Sequence, residues 1–174
     1  MELQTPEKSS PDSSEVLATA TWADFIFEPG ISFDEALTRW EAFIIRTGTE
    51  ELSDEDCPLQ HNFPDGLYTR ELFMPAGSVI TSLVHRFDNP FFILKGKVTV
   101  LSENEGRVTY IGPCYGITKP GTRRLLLVQE DTIWVTVHPN PENIKDVPTL
   151  ENRLTFVKEN PYLEEKTCHS LPSE

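Results

Sequence analysis

Hydrophobic positions change their period twice along the chain. The first twenty residues, MELQTPEKSSPDSSEVLATA, show no period and are rich in Ser, Pro, Glu and Thr. Such a segment cannot bury enough apolar surface to offset its ordering entropy, so residues 1–30 read as a mostly disordered acidic arm. From Ser32 the pattern becomes helical. Ser32 and Glu35 have capping-box spacing, and Phe33, Ala36, Leu37, Trp40, Phe43 and Ile44 then recur on one stripe that ends near Gly48. This predicts a helix over 33–47. The stripe is too apolar to face water, so the helix is expected to pack on the central domain or on a second subunit. The run Glu50–Asp56 follows as a solvated acidic loop, closing a unit at 31–56.

The period then shortens to two. Leu67–Met74, Val79–His85, Phe91–Lys95, Lys97–Leu101, Val108–Ile111, Arg124–Gln129 and Thr132–His138 are rich in β-branched and aromatic residues. Turn formers separate them, among them Pro75-Ala76-Gly77, Asp88-Asn89-Pro90, Glu103–Gly106, Gly112-Pro113 and Lys119-Pro120-Gly121. Seven or eight short strands with no helix between them must pair antiparallel, as a sandwich or barrel over residues 57–140. Residues 141–174 are polar, with a short helix expected over Pro148–Phe156 and a loose last dozen residues.

Charge sharpens this partition. The 174 residues carry a formal net charge of −13. Residues 1–65 hold a net −12 and 141–174 a net −3, whereas 66–140 hold a net +2. Acidic flanks read as solvated surface, and a basic centre as a place to hold an anion. The overall balance argues against a nucleic-acid partner, which requires phosphate-neutralising cations. No stretch approaches the roughly 20 apolar residues of a membrane span, and the first residues lack the basic start and apolar run of a secretory signal. Cys57, Cys114 and Cys168 have no CxxC or framework spacing. These features lead us to expect a cytoplasmic protein with reduced thiols.

The run GSVITSLVHRFDNPFFILKGKVTV, followed by YGITKPGTRR, resembles the two motifs of the cupin superfamily, with Gly77 and Gly96 bracketing the first and Gly121 anchoring the second. A closer resemblance is to small cupin-like proteins of tailed phages and prophages. It rests on His61-Asn62-Phe63, Gly66-Leu67-Tyr68-Thr69-Arg70-Glu71, Pro75-Ala76-Gly77, His85, Leu94-Lys95-Gly96, Pro120-Gly121-Thr122-Arg123-Arg124 and Glu130–Pro139. It covers about residues 57–140. The fold it implies is mainly β: an antiparallel cupin-like jelly-roll barrel, here with an N-terminal helix and polar tails. It also implies a homodimer and, for a phage protein, the host cytoplasm. Function does not follow from it, because the superfamily supports many chemistries.

Cupin metal centres use neutral imidazoles and a carboxylate converging inside the barrel. By position, the ligands of the family pattern fall on Leu83, His85, Asn89 and Arg124, so one imidazole of the set survives. Asn89 offers a neutral amide oxygen, and Arg124 is a fixed cation that repels a metal. Strand alternation puts Val79, Thr81, Leu83 and His85 on one face and Trp134, Thr136 and His138 on another. If both faces point inward, His85 and His138 meet, and with Asn89 they form a weak candidate site for a divalent metal. The bland alternative makes His85 a hydrogen-bonded barrel residue and His138 a strand end, with His61 a packing or turn residue. Trp22 and Trp40 read as packing, and Trp134 lines a pocket if its face is inward.

Arg124 at a ligand position points to an anion held where a cation would otherwise sit, since its planar fork matches a carboxylate or phosphate. Arg123, Lys119 and Arg86 are expected near the same mouth. Against this, Arg123 and Arg124 occupy opposite faces of a strand, and either could pair with Glu130 or Asp131 at the surface. Ser78, Ser82 and Ser102 lack a nucleophile elbow, Cys114 has no basic neighbour in sequence, and Gly112, Gly116 and Gly121 form no phosphate-binding pattern. The sequence therefore favours a binding protein for an anionic small molecule with an eroded metal site and no cofactor. Its candidate ligand-binding residues are His85, Asn89, Arg123, Arg124, Trp134 and His138. The alternatives are a metal-dependent isomerase or dioxygenase using His85 and His138, and a phage structural or host-interaction protein using the barrel as a scaffold.

Overall fold

A computed structural model describes residues 29–47, 53, 55–156 and 160–162. The arm over residues 1–28, most of the acidic loop, Trp22, Cys168 and the last dozen residues lie outside the described residues. Helix α1 spans Phe33–Thr47. Its start is capped as the sequence predicts, the Glu35 amide donating to the Ser32 hydroxyl at 3.2 Å. The reciprocal half of the box is diverted: the Glu35 carboxylate accepts from Arg39 and from the Tyr162 hydroxyl instead.

Among the described residues nine strands follow: β1 (Leu59–Asn62), β2 (Leu67–Met74), β3 (Val79–Thr81), β4 (Val84–His85), β5 (Asn89–Ser102), β6 (Gly106–Ile111), β7 (Cys114–Thr118), β8 (Arg124–Pro139) and, after helix α2 (Val147–Leu154), β9 (Thr155–Phe156). The main sheet runs β1-β2-β8-β5-β6, with β3 added to β8 and β7 to β5, and β4 pairs with β9 in a separate two-stranded sheet. Every pair is antiparallel. The fold is mainly β, as expected.

Two pairs of short strands expected from the sequence are each one long strand. Phe91–Lys95 and Lys97–Leu101 merge into β5, whose pairing with β8 shifts register between Ile93 and Val98. Gly96 sits in that irregularity at φ 100, and a Cβ there would collide with Thr132 and the Asp131 carbonyl. A glycine read from sequence as a break is a bulge that lets the strand continue. Arg124–Gln129 and Thr132–His138 likewise merge into β8 through Glu130 and Asp131. Conversely, Val79–His85 divides at Ser82-Leu83, and Leu83 is half exposed rather than interior. β1, β7 and β9 were not foreseen as strands, and the helix expected over Pro148–Phe156 instead spans Val147–Leu154 and gives way to β9.

Alternation along β8 places the core. Leu126, Val128 and Trp134 join Met74, Phe91, Ile93, Val98, Val100 and Tyr110 inside the barrel. Leu125 and Leu127 face the other way and meet Phe33, Ala36, Leu37 and Trp40 of α1. The helix thus packs on the central domain. The polar extension is also partly built in: Leu150 and Leu154 of α2 cluster with Tyr68, and the α2 start is capped by Asp146. Among the described residues no helix is long and apolar enough to cross a membrane.

Candidate functional site

Strands β2 and β8 pair so that Tyr68 lies opposite His138, Arg70 opposite Thr136, and Leu72 opposite Trp134. On the other side of β8, Phe91 of β5 lies opposite Thr136. Of these, Arg70, Leu72, Trp134 and Thr136 line a cavity of about 190 Å³, to which the β3–β4 segment also contributes, whereas Tyr68, His138 and Phe91 lie outside its lining. Its lining combines apolar Leu72, Met74, Ile80 and Leu126 with polar Arg70, His85, Asn89 and Arg124.

Arg124 is the central charge. It is 5% exposed, and no carboxylate among the described residues lies within ion-pair distance of it. Its guanidinium carbon lies 5.4 Å from the Phe91 ring centroid and 5.3 Å from that of Trp134, two rings stacked 4.4 Å apart. Their π faces supply part of the stabilisation that water would give. Burial lowers its pKa to about 10, so the group remains cationic at neutral pH.

His85 and His138 do meet, with ring centroids 5.3 Å apart and planes inclined by 25°. They continue a column through Tyr68 to His61, whose Nδ1 lies 2.7 Å from the Tyr68 hydroxyl. Burial, followed by the His138, Arg124 and Arg70 charges, pushes His85 down to about 3. Burial and Arg70 push His138 down to about 4. Both imidazoles are therefore neutral near pH 7.

Several buried polar atoms have no hydrogen-bond partner among the described residues: Nε of Arg70, Nε of Arg124, Nδ1 of His85, both amide atoms of Asn89, and the hydroxyl of Thr118, which lies opposite Asn89. An unmade buried hydrogen bond costs about 1–3 kcal/mol, so these groups are a local cost in the folded chain.

The donor set does not fit a resident divalent ion. Lone pairs lie in the imidazole plane, and two rings stacked face to face aim theirs side by side. The His138 Nε2 is already 3.1 Å from the Thr136 hydroxyl. Among the described residues no three His, Cys, Asp or Glu side chains group as metal ligands, and two guanidiniums stand beside the pair. A carboxylate is needed to balance a dication there, and Asn89 brings only an amide.

Three cations expected at the mouth lie elsewhere. Arg123, one residue from Arg124 and so on the opposite face, runs under α1. Its Nη1 donates to the Asp34 carbonyl and carboxylate and to the Thr38 hydroxyl at 2.8–3.1 Å, and its Nη2 to Glu41 at 2.6 Å. It fastens the helix and is not a ligand residue, and its partners are not Glu130 or Asp131. Lys119 pairs with Asp88 on the surface at 3.2 Å. Arg86 donates to the Thr155 carbonyl and lies over Phe156.

The sequence reading missed Arg70. The signal was available: Tyr68, Leu72 and Met74 are all buried-type residues at even positions of one strand, which turns Arg70 inward with them. Cys114 is buried in the barrel core with its thiol pKa raised by that burial, as expected of a packing residue.

No protein-family model matches the chain, and no curated protein matches it in sequence. Solved structures do resemble it. An RmlC-like cupin with a double-stranded β-helix fold from Methanocaldococcus jannaschii is 12% identical over 54% of this chain and 87% of its own, with a TM-score of 0.42. A double-stranded β-helix protein from Klebsiella pneumoniae is 16% identical over 56% and 89%, at 0.44. The acetylacetone dioxygenase of Acinetobacter johnsonii is 21% identical over 52% and 72%, at 0.41. Each likeness concerns about half of this chain.

Proposed function

We propose that the protein is a non-catalytic binding protein that holds a small anion inside its barrel. The observation that supports this most directly is the pair of guanidiniums, Arg70 and Arg124, that line one cavity, Arg124 with no carboxylate within ion-pair distance among the described residues. Arg offers only donors, so the missing partner is an acceptor, and beside two cations it is an anion. The neutral imidazoles of His85 and His138 support binding over turnover, since each resists protonation at working pH. The cavity, at about 190 Å³, is smaller than the roughly 300–1,000 Å³ of drug-sized sites, which favours a compact ligand.

The test is a thermal-shift screen of carboxylates, phosphates and nucleotides on the purified chain, with native mass spectrometry for retained ligand. A small anion should raise the melting temperature of the wild type and leave Arg124→Met unmoved. A screen in which no anion stabilises the protein, or in which Arg124→Met responds equally, overturns the reading.

The ordered resemblance of residues 57–140 to phage cupin-like proteins supports a phage-associated setting. A homodimer is supported by the outer face of β5 and β7, where Phe92, Leu94, Tyr115 and Ile117 are exposed together. Light scattering on the purified chain would report a monomer if that support is misplaced.

A further inference from the structure

Of the two guanidiniums that line the cavity, one already faces an acid of the chain. Arg70 Nη2 lies 3.6 Å from the Glu151 carboxylate of α2, an ion pair too long to be a hydrogen bond. Arg124 feels the charges of Glu105 and Tyr110, but no carboxylate among the described residues comes within ion-pair distance of it. We infer that Glu151 sets the affinity of the anion site: by sharing the charge of Arg70 it keeps binding weaker than the cavity's own groups would make it. This rests on the anion-binding reading and adds the residue that tunes it.

Glu151 acts on the site from outside. Arg70 belongs to the cavity lining and Glu151 does not. A guanidinium charge is delocalised over its plane, so a carboxylate at one edge weakens the field offered to an anion at another. The Arg70 side chain is 21% exposed and that of Glu151 39%, so water moderates the pair without cancelling it. Nε of Arg70 is sealed, which leaves its terminal nitrogens as the atoms an anion meets.

The carboxylate is held in place by α2 and not by the pair itself. Leu150 and Leu154 of α2 pack against Tyr68, two residues before Arg70 on β2. Beyond α2, Thr155 of β9 lies opposite His85, and Arg86 donates to the Leu154 and Thr155 carbonyls at 2.8 and 2.7 Å. The Glu151 carbonyl accepts from the Thr155 hydroxyl at 2.7 Å whatever the side chain. Neutralising Glu151 therefore leaves the docking contacts intact. Linkage makes the coupling reciprocal: an anion that draws on Arg70 loosens α2 by the factor by which α2 weakens the anion.

Isothermal titration calorimetry on the full chain, with acetate and with orthophosphate as probes, tests this. Glu151→Gln should bind a probe about threefold more tightly than wild type, the scale of a partly exposed ion pair, and Glu151→Lys more tightly still. Glu142→Gln removes the same charge from a surface pair with Arg153 and should stay within about 1.5-fold of wild type, because solvent and salt screen it. A gain in affinity is an outcome that damage to the fold does not produce. Equal or weaker binding by Glu151→Gln, or an equal gain in Glu142→Gln, overturns the inference and leaves the anion site standing. Binding of neither probe by wild type or variants overturns it together with the reading beneath it. Glu151→Lys decides the matter if Glu151→Gln does not fold, and binding no tighter than wild type counts against the inference.

Discussion

Replacing Arg124 by Met should stabilise the ligand-free protein while abolishing its anion response. Burial lowers the guanidinium pKa from its usual value to about 10. At roughly 1.4 kcal/mol for each tenfold change in proton affinity, keeping that charge inside the fold costs about 3 kcal/mol. The Phe91 and Trp134 faces return part of this, about 0.5–1 kcal/mol each for cation–π contacts at more than 5 Å. Met fills much of the same space without a charge to desolvate, and the Arg124 amide keeps its bond to the Ser82 hydroxyl whatever the side chain. The balance is a gain of about 1–2 kcal/mol in the absence of ligand, or roughly 2–6 °C in melting temperature for a chain of this size. Urea unfolding of both proteins in anion-poor buffer measures it, and a thermal-shift titration with the best wild-type ligand follows. A variant less stable than wild type by 1 kcal/mol or more would refute the reasoning, because the guanidinium would then be well satisfied inside the empty barrel.

The remaining predictions concern protons and the helix clamp. His85 and His138 stay neutral until about pH 3 and about 4, whereas the unfolded chain's imidazoles protonate near 6.5. Both folded values are depressed for a base, so the unfolded state binds more protons in that window: stability is complete above pH 6.5 and is lost as pH falls. The loss is about 1.4 kcal/mol per pH unit for each ring, about 4 kcal/mol for the pair by pH 5. Urea unfolding at pH 7.5, 6 and 5 should show this loss in wild type relative to His85→Gln/His138→Gln, and parallel curves for the two proteins would contradict it. Arg123→Met should cost about 2–3 kcal/mol in the same assay without altering anion affinity. The cost falls below the 3–5 kcal/mol of a severed buried pair because the Asp34 and Glu41 side chains, 45% and 30% exposed, can rehydrate. A changed affinity would mean that Arg123 reaches the cavity after all.

Much of the fold was legible because two periods dominate the chain. The helical stripe from Phe33 to Ile44 and the alternation from Leu67 to His138 each specify an element and its buried face. What stayed hidden depends on partners far away in sequence. A glycine such as Gly96 reads equally as a turn or a bulge until the opposing Thr132 is known. The division of Val79–His85 depends on β9, some seventy residues on, taking Val84 and His85 into its own pairing. In the site, His85, Asn89 and Arg124 were accessible through family position, and Trp134 and His138 through strand parity. Arg123 was misplaced although parity put it on the other face, because the carboxylates that claim it belong to a helix whose docking position the sequence did not give. Arg70 was overlooked for the converse reason: its parity is clear, but no metal-ligand position coincides with it.

The fates of Arg123 and Arg124 show how the chain separates stability from binding. One peptide unit apart, they bear the same charge and are both nearly buried. Arg123 is met by two carboxylates and two further oxygens from α1, which commits both its Nη atoms to the helix. Arg124 is met by aromatic faces, although the chain carries 28 acidic residues. A carboxylate of the chain placed beside it would act as a tethered competitor at an effective concentration in the millimolar range or above, and few free anions would displace it. Under the proposed function, holding acids away from Arg124 would cost stability in the empty protein and preserve affinity for an anion arriving from solution. That trade makes sense for a binding site and has no use in a purely structural core.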